Sequence, residues 1–407
     1  MTAFKYKLRA TGPITVDDYR AAAKRALPEM VWAYVENGAE QHVTLRANRT
    51  SFDRYLLRQQ VLTGNEATDL TVKIGETPIA LPVMLAPTGL TGLSHWTGER
   101  AAAQAAERAG TRAILSTAAS YSIEEVAEAT EENHFFQLYP WAWASNGDAG
   151  NYGLIGSLIQ RAGKAGYAGL VVTVDVPVHG NREAERKKGM GVPPTLTPRR
   201  ILSGALHPRW SYNFLRHQRI SGRNLIESGG AKAAVSSMSV QYRMMRPELN
   251  WDDLRWVRAN WSGPMLVKGI LNPEDAETAV GVGVDGIIVS NHGGRQLDGA
   301  AASLDALPAI ADRVARRTQI LLDGGVRRGT DVVKAICLGA DAVCIGRPYI
   351  YGLAARGGEG VEHVLQIFRE EIARAMTLMG ISRVSDLNRS CLIAQDDFAR
   401  SVLARRS

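Results

Sequence analysis

Eight short apolar segments recur along the chain, and they constrain its fold more than any other feature. Each is rich in Val, Ile, Leu or aromatic residues, as strands buried on both faces are. The segments are 81–86, 113–117, 135–139, 169–174, 264–268, 286–290, 319–323 and 342–346. Helical patterns separate most of them, at 99–109, 123–129, 154–165, 273–280 and 330–338. Eight strands that alternate with helices predict an α/β fold, a (β/α)8 TIM barrel.

Further elements flank or interrupt this repeat. N-terminal helices are predicted over residues 14–60, a short strand over 70–74 and a closing helix over 361–379. About ninety residues separate the fourth segment from the fifth, far more than one connecting helix needs. We therefore predict a single domain over residues 1–407 with an insertion at 187–249. The insertion is interpreted as a lid or a peripheral membrane contact over the barrel mouth, or as a solvated loop with one helix.

Composition narrows the class of protein. The hydrophobic content of 45% and the charged content of 22% are those of a soluble globular protein. With three cysteines (Cys337, Cys344 and Cys391), no CxxC pair and no signal-peptide core in residues 1–13, we expect no disulfide framework, no metal site and a cytoplasmic location. The net charge of +7 is compatible with an anionic substrate or a membrane surface, and no nucleic-acid partner is expected.

Polar side chains follow the carboxyl ends of the predicted strands, where barrels of this type carry their active sites. They are Ser116, Gln137, Tyr139, Thr173, Asp175, Lys268, residues 290–295, Asp323, Gly346 and Arg347. A purely structural barrel would not need them, because each buried polar group must find a partner. We therefore expect an active site at this end of the barrel.

The segment Ser290-Asn291-His292-Gly293-Gly294-Arg295-Gln296 directly follows the sixth predicted strand. Its two glycines let the backbone come close to a ligand. His292 lies three positions before Arg295, which places a proton acceptor beside a cation that binds anions. That pair suits abstraction of a proton from a substrate with a carboxylate, although both side chains could instead satisfy local backbone groups.

A second cluster indicates a phosphate site. Asp323, Gly325 and Arg327 follow the seventh strand, and Gly346 and Arg347 follow the eighth. Barrels often bind phosphate with these two loops, so a sugar-phosphate isomerase or aldolase would show the same pattern. Lys268 ends the fifth predicted strand. Its position is compatible with three roles: a Schiff-base nucleophile, a phosphate ligand or a fixed cation beside a flavin.

The segment 290–296 resembles the active-site signature of the FMN-dependent 2-hydroxy-acid oxidases and dehydrogenases, which include glycolate oxidase, lactate oxidase and mandelate dehydrogenase. The resemblance extends from Tyr34 to Arg347. It implies an FMN-dependent enzyme that oxidises the CH–OH group of an (S)-2-hydroxy acid to a 2-oxo acid, and it implies a homotetramer. Oxygen, quinone and cytochrome remain open as electron acceptors, and hydride and carbanion routes both remain open.

The resemblance also implies roles for individual residues. Arg182 and Arg295 would bind the substrate carboxylate. Tyr34, Tyr139 and His292 would hold the hydroxyl group, with His292 as the base while two electrons pass from the substrate α-carbon to flavin N5.

The remaining implied roles concern the catalytic histidine and the cofactor. Asp175 would pair with the histidine, and Lys268 would lie near flavin N1 and the C2 carbonyl, where it stabilises the reduced flavin. The other implied FMN contacts are Pro87, Thr88, Gly89, Ser116, Gln137, Thr173, Ser290, Asp323, Gly325, Arg327, Gly346 and Arg347.

One departure from the family pattern concerns substrate size. Glycolate oxidases carry a tryptophan in the segment where this chain has Ala118. The smaller side chain implies a roomier pocket, so L-lactate or a larger, aromatic 2-hydroxy acid is favoured over glycolate. Two alternatives are kept: a phosphate-binding lyase that uses Lys268, and a flavoprotein or binding scaffold of the same fold with a peptide or another unusual ligand.

Overall fold

The computed structural model describes residues 12–64, 67–140, 153–190, 195, 197–225 and 245–395. Its central feature is a parallel sheet of eight strands. The strands are β1 (Val83–Leu85), β2 (Ile114–Ser116), β3 (Phe135–Leu138), β4 (Gly169–Thr173), β5 (Met265–Ile270), β6 (Gly286–Val289), β7 (Gln319–Asp323) and β8 (Ala342–Ile345). They pair in the order β1-β8-β7-β6-β5-β4-β3-β2, and a parallel bridge between Leu85 and Ala113 joins the two ends of the sheet. The predicted (β/α)8 barrel is confirmed.

The strand sequences are apolar throughout because both strand faces are buried. Alternate residues form a compact inner cluster that includes Met84, Phe135, Val171, Leu266 and Ile288. Their neighbours in sequence pack outward against the helices, as the two-residue period of a strand requires.

The end of the barrel where the strands begin is covered. The hairpin of strands Val72–Ile74 and Thr77–Ile79 adds Ile74 and Ile79 to the inner cluster. Its turn is tied to the first residue of β7, since the Gly75 amide donates to Gln319 Oε1 at 2.6 Å. The opposite end, where the strands finish, is therefore the one available for a site.

Helices surround the sheet. They are α1 (Val16–Ala26), α2 (Glu29–Glu36), α3 (Val43–Thr50), α4 (Gly98–Arg108), α5 (Ile123–Ala127), α6 (Gly153–Lys164), α7 (Glu183–Lys187), α8 (Pro198–Ala205), α9 (Pro208–His217), α10 (Trp251–Asn260), α11 (Pro273–Val282), α12 (Ser303–Val314), α13 (Gly329–Cys337), α14 (Arg347–Arg356) and α15 (Gly358–Leu378). The five predicted inter-strand helices, the N-terminal helices and the closing helix are present. Helices α7, α10, α12 and α14 were not predicted. Helices α7 and α10 flank the region assigned to the insertion, α12 contains Pro308, which weakens a helical pattern, and α14 begins inside the segment assigned to phosphate binding.

The described part of the predicted insertion contains α8 and α9, two helices rather than the one that the loop alternative assumed. Residues 191–194, 196 and 226–244 of the insertion lie outside the described residues. Helix α9 is fixed to the loop after β1, because Trp210 Nε1 donates to Leu93 O at 2.7 Å and His217 stacks on Trp96 with ring centroids 3.9 Å apart. Across the described ranges, no helix is both long enough and apolar enough to cross a membrane.

Candidate active site

A cavity of about 1240 Å³, its open mouth included, lies at the carboxyl ends of the strands. Most of the residues predicted for the site line it: Tyr34, Pro87, Thr88, Gly89, Ser116, Tyr139, Arg182, Lys268, His292, Arg295, Asp323, Gly325, Arg327, Gly346 and Arg347. Four others lie behind this lining, namely Gln137, Thr173, Asp175 and Ser290. Ala118 also lines the cavity, as its proposed influence on substrate size requires.

The segment after β6 makes a tight turn that presents His292. The Gly294 amide donates to Asn291 O at 3.1 Å, and both residues between them have positive φ, 59° at His292 and 64° at Gly293. Two such residues are typical of a type I′ turn. For a residue with a Cβ the left-handed conformation costs about 1–2 kcal/mol, and backbone of this kind is concentrated at functional sites.

Asp175 fixes the orientation and the tautomer of this imidazole. Its Oδ1 lies 2.9 Å from His292 Nδ1. The carboxylate can pack close to β5 because Gly269 has no side chain; a Cβ there would lie 2.6 Å from Asp175 Cβ. With Asp175 ionised, Nδ1 carries the proton and donates it, which leaves the lone pair of the imidazole on Nε2.

The electrostatics of the pair keep the imidazole neutral and the carboxyl ionised. Burial lowers the pKa of His292, and the opposing effect of Asp175 does not fully compensate. Burial alone would raise the pKa of Asp175, but His292 and Lys268 bring that pKa below its ordinary value. The geometry therefore provides a proton acceptor with an ionised carboxylate behind it.

Two guanidinium groups lie beside the histidine. Arg295 is held by three contacts: Nη1 donates to Tyr34 O and Asn37 O, both at 2.8 Å, and Nη2 pairs with Glu185 Oε1 at 2.9 Å. Arg182 forms only long bonds to backbone and amide oxygens, at 3.4 and 3.5 Å, and pairs with no carboxylate of the described residues. Burial and the neighbouring Arg295 lower the pKa of Arg182, so this corner of the cavity favours an anionic ligand.

The far end of the cavity has the features of a phosphate site. Gly325 has a φ of 84°, and a Cβ there would lie 1.8 Å from Asn48 O, so only glycine fits. Arg347 is half-buried and donates to three carbonyl oxygens, those of Val35, Asn37 and Gly293, at 3.0–3.1 Å. Burial and the nearby Arg295 lower the pKa of Arg347 to about 10. Among the residues that the structure describes, this half-buried cation at the start of a helix pairs with no carboxylate, and such a cation is suited to a phosphate.

Between these two ends, unsatisfied polar groups test whether a flavin fits. Within the part of the chain that the structure describes, the buried Gln137 Nε2, Thr173 Oγ1 and Asp323 Oδ1 have no hydrogen-bond partner. Lys268 Nζ donates to Ser290 Oγ at 2.8 Å and pairs with Asp323 Oδ2 at 3.1 Å. Strand register sets Gln137 beside Ser116, and Thr173 beside Lys268. A flat heterocycle with a polar edge and a phosphate tail would satisfy both these groups and Arg347.

Sequence reasoning missed several residues of the site. Glu185, which neutralises Arg295, could have been noticed as an acidic residue three positions after Arg182, within one helical turn. Asn48 gave no local signal, because its partner Asn291 lies 243 positions away. The cavity lining also includes Leu90, Val176, His179 and Met245, which no motif marked.

Comparison with known proteins gives the family. The sequence profile of the FMN-dependent dehydrogenases matches residues 23–394. An L-lactate dehydrogenase of Acinetobacter baumannii is 42% identical over 382 residues, covering 93% of this chain and 97% of the relative. An L-lactate dehydrogenase of Pseudomonas paraeruginosa is 41% identical over 380 residues, covering 93% and 97%.

Solved structures of similar proteins indicate the same family. The monotopic membrane protein (S)-mandelate dehydrogenase superposes with a TM-score of 0.88 at 35% identity, covering 94% of this chain and 100% of that one. Mandelate oxidase with (S)-2-phenylpropionate gives 0.76 at 33% identity, covering 94% and 98%. The chain belongs to the family of FMN-dependent dehydrogenases, and it is an FMN-dependent oxidoreductase that acts on the CH–OH group of 2-hydroxy acids.

Proposed function

We propose that this enzyme oxidises an (S)-2-hydroxy acid to the 2-oxo acid, that His292 is the general base, and that L-lactate or a larger, aromatic acid is favoured over glycolate. FMN supplies the two-electron acceptor. The observation that carries the proposal is the His292–Asp175 pair at 2.9 Å beside two arginines in one cavity. This arrangement unites a proton acceptor with a binding site for a carboxylate.

The proposed mechanism begins with binding of the substrate carboxylate. Arg182 keeps most of its donors for this anion, while Arg295 is held rigid by its backbone bonds and by Glu185. Two fixed guanidinium groups orient the substrate, so that its hydroxyl group faces the histidine.

Proton transfer follows. Burial raises the pKa of Tyr34 and of Tyr139, so both phenols stay neutral and keep a proton to donate. Tyr34 Oη donates to Gly89 O at 3.1 Å, and it would exchange this partner for the substrate oxygen. His292 Nε2 then accepts the hydroxyl proton, and Asp175 stabilises the imidazolium that forms. Burial opposes the positive charge of Lys268, but Asp323 and Asp175 outweigh burial and raise the pKa of this lysine. Lys268 therefore remains a fixed positive charge that would stabilise the reduced cofactor.

The same lysine argues against the lyase alternative. A Schiff-base lysine must be able to lose its proton, which requires a lowered pKa. Here Lys268 is ion-paired with Asp323 at 3.1 Å and its pKa is raised. Borohydride is therefore expected to trap no substrate on the protein.

Substrate size is inferred from the lining and the relatives. Ala118, Leu90, Val176 and Met245 give part of the cavity an apolar wall. L-Lactate dehydrogenases and mandelate enzymes are both among the relatives, and their substrates carry apolar groups on the α-carbon. An acid with an apolar α-substituent would bury more apolar surface here than glycolate would.

Peripheral attachment to a membrane is part of the proposal. Helices α8 and α9 have no buried residue, and they expose the large apolar side chains of Ile201, Leu202, Tyr212 and Leu215; Leu206, which follows α8, is exposed as well. Four arginines (Arg199, Arg200, Arg209 and Arg216) lie among them. Apolar and cationic groups on one helix pair suit an anionic lipid surface, and the similar (S)-mandelate dehydrogenase is a monotopic membrane protein. Sedimentation with vesicles containing anionic lipid tests this; equal recovery of a Leu202→Glu/Leu215→Glu variant would refute it.

The direct test of the activity is anaerobic mixing of the yellow protein with L-lactate, (S)-mandelate, glycolate and their (R) counterparts where these exist. We expect the flavin absorbance to bleach with the (S) acids and slower bleaching with glycolate. Readmission of air, or addition of a quinone, then identifies the electron acceptor. Failure of every 2-hydroxy acid to bleach the flavin would refute the proposal. Light scattering of the same sample tests the predicted homotetramer.

A further inference from the structure

A reciprocal pair of buried amides lies behind the turn that carries His292. Asn48 in α3 donates from Nδ2 to Asn291 Oδ1 at 2.8 Å, and Asn291 donates from Nδ2 to Asn48 Oδ1, also at 2.8 Å. Asn48 is 1% exposed and Asn291 is 5% exposed. Neither side chain lines the cavity.

Both amides are also bonded to the backbone around the turn. Asn291 Oδ1 accepts from the Gly294 amide at 3.1 Å, and Asn291 Nδ2 donates to Ala301 O at 2.9 Å. Asn48 Oδ1 accepts from the Ser303 amide at 3.2 Å. The pair therefore joins α3, the turn and the beginning of α12, and it uses the full bonding capacity of the Asn291 amide.

The turn needs such support. His292 and Gly293 both have positive φ, which is unfavourable for a residue with a Cβ, so the conformation persists only when surrounding bonds impose it. The Gly294 amide is shared between Asn291 O and Asn291 Oδ1, both at 3.1 Å. The side chain of Asn291 thus closes the turn, and Asn48 holds that side chain in the orientation that allows this.

We propose that Asn48 is a positioning residue for the reaction: through Asn291 it holds the turn in which His292 meets Asp175. This inference rests on the proposed role of His292 as the base. Asn48 acts through Asn291, since Asn48 is not among the residues that line the cavity and forms no hydrogen bond to the imidazole. Removal of its amide should let the turn relax towards an ordinary backbone conformation and displace the imidazole from the substrate hydroxyl.

The test is a double-mutant cycle on FMN-loaded protein with L-lactate as the probe. Asn48→Ala should slow anaerobic flavin reduction by about 10- to 100-fold, because a misplacement of about 1 Å costs on the order of 10²-fold. In the His292→Ala background the same substitution should change the rate by less than about twofold, because it acts through the missing imidazole. An equal loss in both backgrounds, or no loss in either, would overturn the inference. A wild-type rate in His292→Ala alone would instead refute the proposed function.

Hydrogen exchange of the flavin-free protein gives a readout that does not depend on activity. Exchange in the segment 290–296 should be faster in Asn48→Ala, because Gly294 loses its second acceptor. Asn224→Ala is the matched control: Asn224 is 3% exposed and accepts from the Ile123 amide at 2.9 Å, away from the turn. Asn224→Ala should leave hydrogen exchange in the segment 290–296 unchanged. Equal acceleration of exchange in both variants would contradict the inference. If Asn48→Ala fails to fold, Asn48→Asp is used in its place. This substitution keeps the side-chain volume and the acceptor for the Ser303 amide, and the same results are expected.

Discussion

The two ends of the cavity differ in how their buried charges are balanced. At the substrate end His292 pairs with Asp175 at 2.9 Å, and Arg295 pairs with Glu185 at the same distance. At the phosphate end the partners of Arg347 within the described ranges are all carbonyl oxygens, and burial lowers its pKa to about 10. Paired charges set proton affinities for chemistry, whereas a buried cation without a carboxylate leaves its counter-charge to a ligand.

Arg182 is the informative exception at the substrate end. It is a half-buried guanidinium beside paired groups, and it has no carboxylate partner among the residues that the structure describes. Because Arg347 has no carboxylate partner among the described residues, we propose that it binds the phosphate. For the same reason we propose that Arg182 binds the substrate carboxylate. The cavity thus contains residues that are proposed to bind ligands and residues that are proposed to react, and substitutions can distinguish the two groups.

The largest effect is expected from the reacting end. His292→Ala should slow reduction of the flavin by about 10²–10⁴-fold, the usual contribution of a general base, and leave the protein yellow. Stopped-flow absorbance under anaerobic conditions measures the rate, and the ratio of flavin to protein absorbance measures occupancy. A colourless variant would show that this side chain anchors the cofactor.

The binding end should respond in the opposite way. Arg347→Ala should weaken FMN binding by roughly 10- to 150-fold, because a charge-assisted bond to phosphate contributes about 1.5–3 kcal/mol. Flavin content after gel filtration at low protein concentration measures the loss. Arg328→Ala is a suitable control, since Arg328 is a half-exposed neighbour that pairs with Glu371. Retention of FMN by Arg347→Ala at the level of this control would exclude the phosphate role.

A smaller and more selective effect is expected at the wall of the substrate end. Ala118→Trp should lower kcat/KM for L-lactate and (S)-mandelate relative to glycolate by roughly ten- to a hundredfold, since overfilling a pocket costs about 1–3 kcal/mol. The ratio of kcat/KM between acids is the relevant measurement, because a general loss of stability would lower all values together. An unchanged ranking of acids would show that Ala118 does not set substrate size.

The smallest effect concerns pH. Burial keeps the pKa of His292 below its ordinary value of 6.5, so the imidazole stays unprotonated and active as the pH falls to that value. The acid limb of kcat/KM should therefore lie below 6.5, with less than about a tenfold change between about pH 8 and 6.5. Asp175→Asn should move the limb further to acid, because Asp175 raises the pKa of His292. A limb above 6.5 would mean that Asp175 outweighs burial.

Much of the fold followed from the sequence because parallel strands buried on both faces leave a continuous apolar pattern. All eight strands were predicted for this reason. Helix α12 was missed because Pro308 interrupts its pattern, and α14 because its first residues read as a phosphate loop. The described part of the insertion forms two helices without a fully buried residue, and α9 contacts the core only through the half-buried Trp210 and Phe214.

The residues of the site also divide into those that the sequence predicts and those that it does not. Residues at strand ends could be predicted, because the barrel brings all these ends together. Asn48 could not, because its role depends on contact with Asn291, 243 positions further along the chain. Glu185 stands close to Arg182 in the sequence, but its ion pair with Arg295 became evident only in the folded structure. Local motifs therefore identified groups that line the cavity, while the groups that hold them in place required the folded structure.

The most direct test of the separation between reacting and binding residues is the anaerobic rate of flavin reduction at saturating FMN and L-lactate. Excess FMN should restore most of the reduction rate in Arg347→Ala, because that variant lacks only affinity for the cofactor. His292→Ala should remain slower than wild type by about 10²-fold or more under the same conditions. Restoration of His292→Ala by FMN, or an equally slow Arg347→Ala, would contradict the account.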